Sequence, residues 1–182
     1  AATPDTAYTE DSIHRCEMTV QVSTKLNRSH LVAGKTAIIL PCLGRSETDQ
    51  QGHGPQFVSC ENYMSIVTRS EGRRTPASEH LMSEPAIVAH LAHHTVGPRS
   101  PVDWLSLVED YDRIRDLIEA VIPGFENYNQ RVRDPNGFVL PNGPRDRIWE
   151  TGSGRAEFTV HPIPHIELKD DQYLMATVRS HD

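Results

Sequence analysis

Ten histidines and three cysteines are the residues that metal or nucleophilic chemistry would draw on first. His90, His93 and His94 cluster in the stretch Ala89-His90-Leu91-Ala92-His93-His94. On a helix His90 and His94 share a face at i, i+4, a spacing that can hold zinc. No glutamate base stands between them, so the metalloprotease pattern fails. Ile87, Val88 and Leu91 form an apolar stripe pointing away from the pair, so solvated histidines on an outer face are the simpler reading. Cys16, Cys42 and Cys60 lie far apart and form no C-x-x-C pair. They support neither a disulfide framework nor a zinc knuckle, and reduced cytoplasmic thiols fit them. Cys42 follows the apolar run Thr36-Ala37-Ile38-Ile39-Leu40-Pro41, where strand ends line a crevice in α/β sheets. There a cysteine is either a nucleophile or, more ordinarily, a small packing residue. No G-x-S-x-G elbow exists for a serine hydrolase. Gly34-Lys35-Thr36 matches the tail of a phosphate loop, but Ser29 stands where the first glycine is required. The segment also leads into a strand instead of a helix, so the motif fails.

Two further places could meet a ligand. Ser83 can cap a helix whose first turn holds Glu84 and Pro85. The helix dipole alone favours a carboxylate there. A carboxylate can also accept two parallel hydrogen bonds, from a guanine N1–H and its exocyclic amine. Arg179-Ser180-His181-Asp182 follows an apolar run. Polar residues after a strand can hold phosphate or a pterin, and a frayed, solvated end is the plainer alternative.

The elements that must position these residues alternate. Thr9 to Cys16 reads as a helix capped by Thr9, Met18 to Ser23 as a strand, and Lys25 to Ala33 as a loop and short helix. Thr36 to Leu40 then reads as a strand covered on both faces, as in a parallel sheet. This is the alternation of an α/β layer fold. Residues 42–85 are punctuated by glycine and proline, with strand-like runs at 56–59 and 65–68 suited to a small hairpin in a long functional loop. A helix follows Ser83. A second, strongly amphipathic one runs from Ser100-Pro101 to Pro123-Gly124 through Trp104, Leu107, Val108, Tyr111, Ile114, Ile118 and Val121. A short helix is expected within 125–132, a loop-rich linker over 134–155, and strands at 156–160 and 173–178. The expected organisation is an α/β domain over 1–133, a linker over 134–155, and the start of another domain over 156–182.

Composition narrows the classes. Twenty-five acidic residues against 18 basic ones give a net charge of −7, without the basic stripe of a nucleic-acid binder or a polybasic membrane patch. The longest strictly aliphatic stretch, Ala37-Ile38-Ile39-Leu40, is far short of the roughly 20 residues of a membrane span. The first residues carry no secretory signal and no initiator Met, which suits a cut boundary and a cytoplasmic protein.

Several continuous stretches resemble one family. They are Thr3-Pro4-Asp5-Thr6, residues 22–31 (Val22-Ser23-Thr24-Lys25-Leu26-Asn27-Arg28-Ser29-His30-Leu31), residues 37–47, Ser83-Glu84-Pro85-Ala86-Ile87-Val88, Tyr111 to Asp116, Ile122-Pro123-Gly124-Phe125, and Thr177 to Asp182. In order and over almost the whole chain they are similar to formate-dehydrogenase-like alpha subunits. These belong to the molybdopterin oxidoreductases, with formate dehydrogenase and dimethyl sulfoxide reductase. The resemblance implies a fragment of a longer protein holding molybdenum in two molybdopterin guanine dinucleotides. An iron–sulfur cluster, where there is one, and the molybdenum ligand would lie outside this chain. The cofactor would carry the two-electron chemistry and the protein its binding and orientation.

Carried over by position, Ser23 and Thr24 resemble strand-end contacts to a guanine nucleoside or its phosphates. Cys42 resembles the small residue at the next strand end. Glu84 resembles the carboxylate that reads guanine, although Asp is commoner there. Arg179, Ser180 and His181 resemble the turn that meets a dinucleotide in the C-terminal domain. Glu47 also matches a family glutamate, with its role open.

The expectation is therefore an α/β, Rossmann-like three-layer domain with a mostly parallel sheet, plus the first strand of a following domain. It would help bind the dinucleotide, with the rest of the parent chain as partner and formate as the first guess for substrate. The alternatives are a stand-alone α/β nucleotide- or partner-binding module, and a small hydrolase using Cys42 or a His90/His94 metal.

Overall fold

A computed structural model describes residues 5–175. The chain divides into two units, Ala1–Pro141 and Asn142–Asp182. In the first, α1 (Thr6–His14) begins at Asp5, whose side chain accepts from the Tyr8 amide at 3.0 Å. The cap is thus Asp5 and not Thr9, whose hydroxyl instead bonds back to the Asp5 carbonyl.

Strand β1 (Met18–Ser23) pairs in parallel with β2 (Thr36–Pro41), Met18 opposite Thr36 and Ser23 opposite Pro41. The crossover between them holds only a four-residue 3₁₀ turn, Arg28–Leu31, capped by Asn27. Gly34 packs so closely that a Cβ there would lie 2.5 Å from the Cys16 carbonyl oxygen. Lys35 pairs with Glu17 at 2.6 Å. The Gly34-Lys35-Thr36 segment is therefore a tight strand entry, which explains its glycine without any phosphate.

The next residues form hairpins. β3 (Asp49–Gln51) pairs antiparallel with β4 (Gly54–Gln56), and β5 (Val58–Glu61) with β6 (Ile66–Ser70). β7 (Phe138–Val139) adds antiparallel to β6. The two strand-like runs of the long loop thus do make a hairpin, extended by a third strand from residues expected to be linker.

Helix α2 (Glu84–Thr95) is capped by Ser83. The amphipathic stretch beyond it is two helices, α3 (Trp104–Glu109) and α4 (Tyr111–Val121). Asp110 breaks it with an extended backbone, φ −150° and ψ 112°, and its side chain caps α4. Periodicity registers a continuous apolar face but not an aspartate whose side chain competes for backbone amides. α5 (Tyr128–Arg131) is one turn long.

Two apolar clusters hold this unit. Phe57, Val67, Tyr128, Val132 and Phe138 form one, and Ala89, Val108 and Tyr111 the other. The Arg115 guanidinium is buried over the Phe57 ring at 4.1 Å, donating to the Phe57 carbonyl, Asn129 and Asp112. On α2, Ile87 is buried with Ala86 and Ala89, whereas Val88 is 57% exposed and Leu91 46%. Small alanines let α3 approach on one side, so the expected Ile87-Val88-Leu91 stripe is only partly a core stripe.

The architecture is mixed α/β with small sheets. Parallel pairing is confined to β1–β2 and two isolated bridges, and the remaining ladders are antiparallel, so no three-layer, mostly parallel Rossmann sheet is formed by the described residues. In the second unit, residues 142–175 contain no helix or strand. The strand expected at 156–160 is absent, because no partner strand accompanies it and Pro162 and Pro164 remove amide donors from the residues that follow. Residues 173–175 are likewise irregular, and 176–178 lie outside the described residues. No helix among the described residues is long and apolar enough to cross a membrane.

Candidate functional site

Three C-terminal ends of extended backbone lie side by side. The Cys42 amide donates to the Ser23 carbonyl at 3.2 Å, carrying β2 one residue beyond β1. Cys42 then makes a parallel bridge to Met82, and the Leu43 amide donates to the Met82 carbonyl at 3.0 Å. Met82 runs directly into Ser83 and α2. Ser23, Cys42 and the Ser83–Glu84 helix start are therefore neighbours at one edge, although Cys42 and Met82 lie 40 positions apart along the chain.

Each expected contact residue has a definite environment. The Ser23 hydroxyl donates to the Lys25 carbonyl at 2.7 Å, which tightens the turn after β1, and Thr24 is exposed beside it. Cys42 is buried. Burial pushes its thiol up, and the nearby Glu84 and Glu47 carboxylates push it in the same direction. A thiol held protonated is a packing residue and not an activated nucleophile. Glu84 is exposed in the first turn of α2, without a hydrogen bond or ion pair to another described residue. Its lone pairs remain open to a ligand donor. Arg179, Ser180 and His181 lie outside the described residues.

A buried hydroxyl network fixes the start of α2. The Ser83 hydroxyl accepts from the Ala86 amide at 3.4 Å and shares a 2.6 Å hydrogen bond with the Tyr111 hydroxyl. Tyr111 donates to Asp49 at 2.5 Å, and Gln51 donates to the other Asp49 oxygen at 2.6 Å. The Tyr111 amide in turn donates to Gln56 at 2.8 Å. Burial, then the hydrogen bond to Asp49, push the Tyr111 hydroxyl well above its ordinary value. It stays protonated as the donor that ties β3 to both helices. These residues escape sequence reasoning, because Tyr111 sits on an apolar helical face and Asp49 in a loop-like stretch.

Glu47 is a clasp. Its carboxylate accepts from the Gly44 amide at 2.6 Å and the Ala77 amide at 2.9 Å, which hold it below the usual carboxylate range. Arg73 and Arg74 amides donate to the Ser46 carbonyl alongside it. Above the clasp a cavity of about 530 Å³ opens between β5, β6 and the helices α2 and α3. Arg45, Glu47 and Glu84 mark its polar end, and Pro85, Val88 and Leu107 its apolar wall. Arg45 Nη1 donates to the Cys60 sulfur at 3.3 Å.

Metal chemistry finds no matching ligand set. His90, His93 and His94 are exposed, the last two ring edge to ring face at 5.1 Å. No group of three or more His, Cys, Asp or Glu side chains is arranged to hold a metal ion among the described residues.

Comparison with known proteins gives relatives along the whole chain. It is 49% identical over 183 residues to an uncharacterized oxidoreductase of Mycobacterium tuberculosis and to one of Mycobacterium bovis. It is 46% identical over 188 residues to protein YdeP of Escherichia coli. Each alignment covers 100% of this chain but 24% of the relative, so the chain spans about a quarter of the length of the curated relatives it matches. No family model and no solved structure matches. The chain is thus homologous to a segment of larger oxidoreductases.

Proposed function

We propose that this chain is a cofactor-binding segment of a molybdenum oxidoreductase, contributing polar contacts to a molybdopterin guanine dinucleotide. The observation that carries the reading is the placement of Ser23 and Cys42 at adjoining strand ends beside the start of α2, where the Glu84 carboxylate accepts no hydrogen bond from another described residue. Ligands of α/β sheets bind outside the carboxyl ends of strands. The homology to the uncharacterized mycobacterial oxidoreductases, at 49% identity, supports the redox class.

The residues present fit such a group. Glu84 offers two acceptor oxygens to the N1–H and exocyclic amine of guanine. The exposed Thr24 hydroxyl and the backbone after β1 suit a ribose or phosphate, and Cys42 packs without projecting charge. Arg179, Ser180 and His181 belong to the same reading as contacts from the following domain. The cofactor supplies two-electron transfer to or from a small substrate, with formate the first guess. No group of three or more metal-ligating side chains is assembled among the described residues. The work of this chain is to bind and orient the nucleotide end. The Rossmann-like three-layer arrangement belongs to the complete parent protein, with the rest of that chain as the segment's partner and an iron–sulfur cluster, where there is one, outside it.

Titration of the chain with GMP and AMP tests the assignment. GMP should bind roughly tenfold to a hundredfold more tightly, as two hydrogen bonds to a charged acceptor allow. Glu84→Ala should erase the difference. Equal affinities in the wild-type chain, or an unchanged preference in the variant, would remove Glu84 from the site.

A further inference from the structure

We propose that Arg45 is a second specificity-determining residue of the nucleotide site, its guanidinium donating to guanine O6 and N7 while Glu84 accepts from N1–H and the exocyclic amine, with the base seated in the cavity between β5, β6, α2 and α3. The inference rests on the reading of Glu84 as the guanine acceptor.

The parallel bridge between Cys42 and Met82 brings the two side chains onto neighbouring backbones, with the Leu43 amide donating to the Met82 carbonyl at 3.0 Å. Arg45 follows Leu43 by two residues, and Glu84 follows Met82 by two. Both line the cavity of about 530 Å³. The Glu47 clasp fixes the turn that carries Arg45. The Glu47 carboxylate takes the Gly44 amide at 2.6 Å, and the Glu47 amide donates back to the Gly44 carbonyl at 3.1 Å.

Four charged side chains line this cavity, Arg45, Glu47, Asp49 and Glu84, and two of them are spent inside the fold. Glu47 holds the Gly44 and Ala77 amides, and Asp49 holds Tyr111 and Gln51. Arg45 gives one Nη1 hydrogen bond to the Cys60 sulfur at 3.3 Å and forms no ion pair among the described residues. That bond raises the guanidinium above its ordinary value, and the nearby Glu84 charge acts in the same direction without closing a salt bridge. The rest of the guanidinium fork stays open.

An open guanidinium beside an open carboxylate calls for a ligand with acceptors and donors on adjoining edges. A simple anion is opposed by three carboxylates against one guanidinium. A simple cation is opposed by Arg45. Guanine meets the pattern, since O6 and N7 adjoin its N1–H and amine donors and match the arginine fork bidentately. Adenine sets an amine where Arg45 needs an acceptor. Arg45 reaches O6 and N7 only in the register that Glu84 sets, so loss of Glu84 removes both contacts. Pro85, Val88 and Leu107 wall the base, and the volume is that of a small-molecule site.

The complete polypeptide, produced in cells that do not make molybdopterin, is titrated with GMP, AMP and 7-deaza-GMP. The last keeps the donors for Glu84 and the O6 atom but lacks N7. It should bind roughly tenfold more weakly than GMP, as loss of one hydrogen bond to a charged group implies. In Arg45→Ala, GMP should weaken by at least roughly tenfold and the difference between GMP and 7-deaza-GMP should vanish. Equal binding of the two by the wild-type protein would overturn the proposal without recourse to any variant. So would an Arg45→Ala protein in which all three ligands weaken alike and the N7 difference persists, which would assign Arg45 to the phosphate. The two readings fail apart. No GMP binding, or equal GMP and AMP affinities in the wild type, removes the Glu84 reading and this one with it. A Glu84-dependent preference for GMP over AMP that is blind to N7 removes Arg45 alone.

Discussion

Asp112 is the most heavily used carboxylate of the first unit. It receives Arg115, whose side chain is 5% exposed, and both Nη2 contacts of Arg133 at 2.7 and 2.8 Å. Burial works against its charged form, but the Arg133 and Arg115 hydrogen bonds outweigh it and leave the carboxyl below its ordinary value of 3.8. The sign follows from linkage. A depressed folded value stabilises above the unfolded one, and that contribution fades as pH falls below about 3.8 through the folded value. Asp112→Ala should cost about 3–5 kcal/mol, because it strands a buried guanidinium, read as a lower urea midpoint at neutral pH. Asp112→Asn should flatten the loss of stability below pH 4 relative to wild type. By contrast, Glu84→Ala should change stability by less than about 1 kcal/mol, since an exposed carboxylate at a helix start contributes only a modest dipole term. Its effect should appear in nucleotide preference.

Among elements, the start of α2 is positioned by residues far away in sequence. Tyr111→Phe deletes the hydroxyl that joins Ser83 to Asp49 and leaves a half-buried carboxylate oxygen short of a donor. It should destabilise by about 1–3 kcal/mol in chemical denaturation. Gly72 shows the same dependence on close approach. A Cβ there would lie 1.9 Å from the Glu47 carbonyl oxygen, backbone against backbone. Gly72→Ala should therefore cost at least about 1–3 kcal/mol and loosen the Glu47 clasp, visible as faster amide exchange at Gly44 and Ala77. These elements also show where sequence patterns inform. Ser83 was legible because a cap before Glu-Pro is a local signal, and β1 and β2 because their runs are β-branched and apolar. The Asp110 break was hidden inside a continuous apolar period. The Ser83–Tyr111–Asp49 network was hidden because long-range hydrogen bonds leave no spacing to count. Of the candidate site, Ser23, Cys42 and Glu84 could be named from strand and helix ends plus resemblance. Glu47 could be flagged, but its function as a clasp needed the Gly44 and Ala77 amides in view.

At the scale of the molecule, the chain carries more exposed apolar strand surface than its own elements cover, and its relatives carry more chain than it spans. The alternation of the first 41 residues suggested a layered parallel sheet, whereas the described residues form one parallel strand pair and two isolated parallel bridges beside antiparallel ladders. The described residues present a hydrogen-bond acceptor, Glu84, beside the strand ends at Ser23 and Cys42 and hold no group of three or more metal-ligating side chains.

The central claim, that this segment serves a guanine dinucleotide form of a molybdenum cofactor, is tested most directly on the complete polypeptide. Molybdenum is measured by mass spectrometry in the purified protein, and GMP is quantified after acid hydrolysis of whatever cofactor is released. The account predicts molybdenum with about two GMP per metal, as two dinucleotides on one ion require, and a clear fall in both in the Glu84→Ala protein. Protein that is folded and homogeneous but free of GMP, or that releases AMP with the same yield, would contradict it.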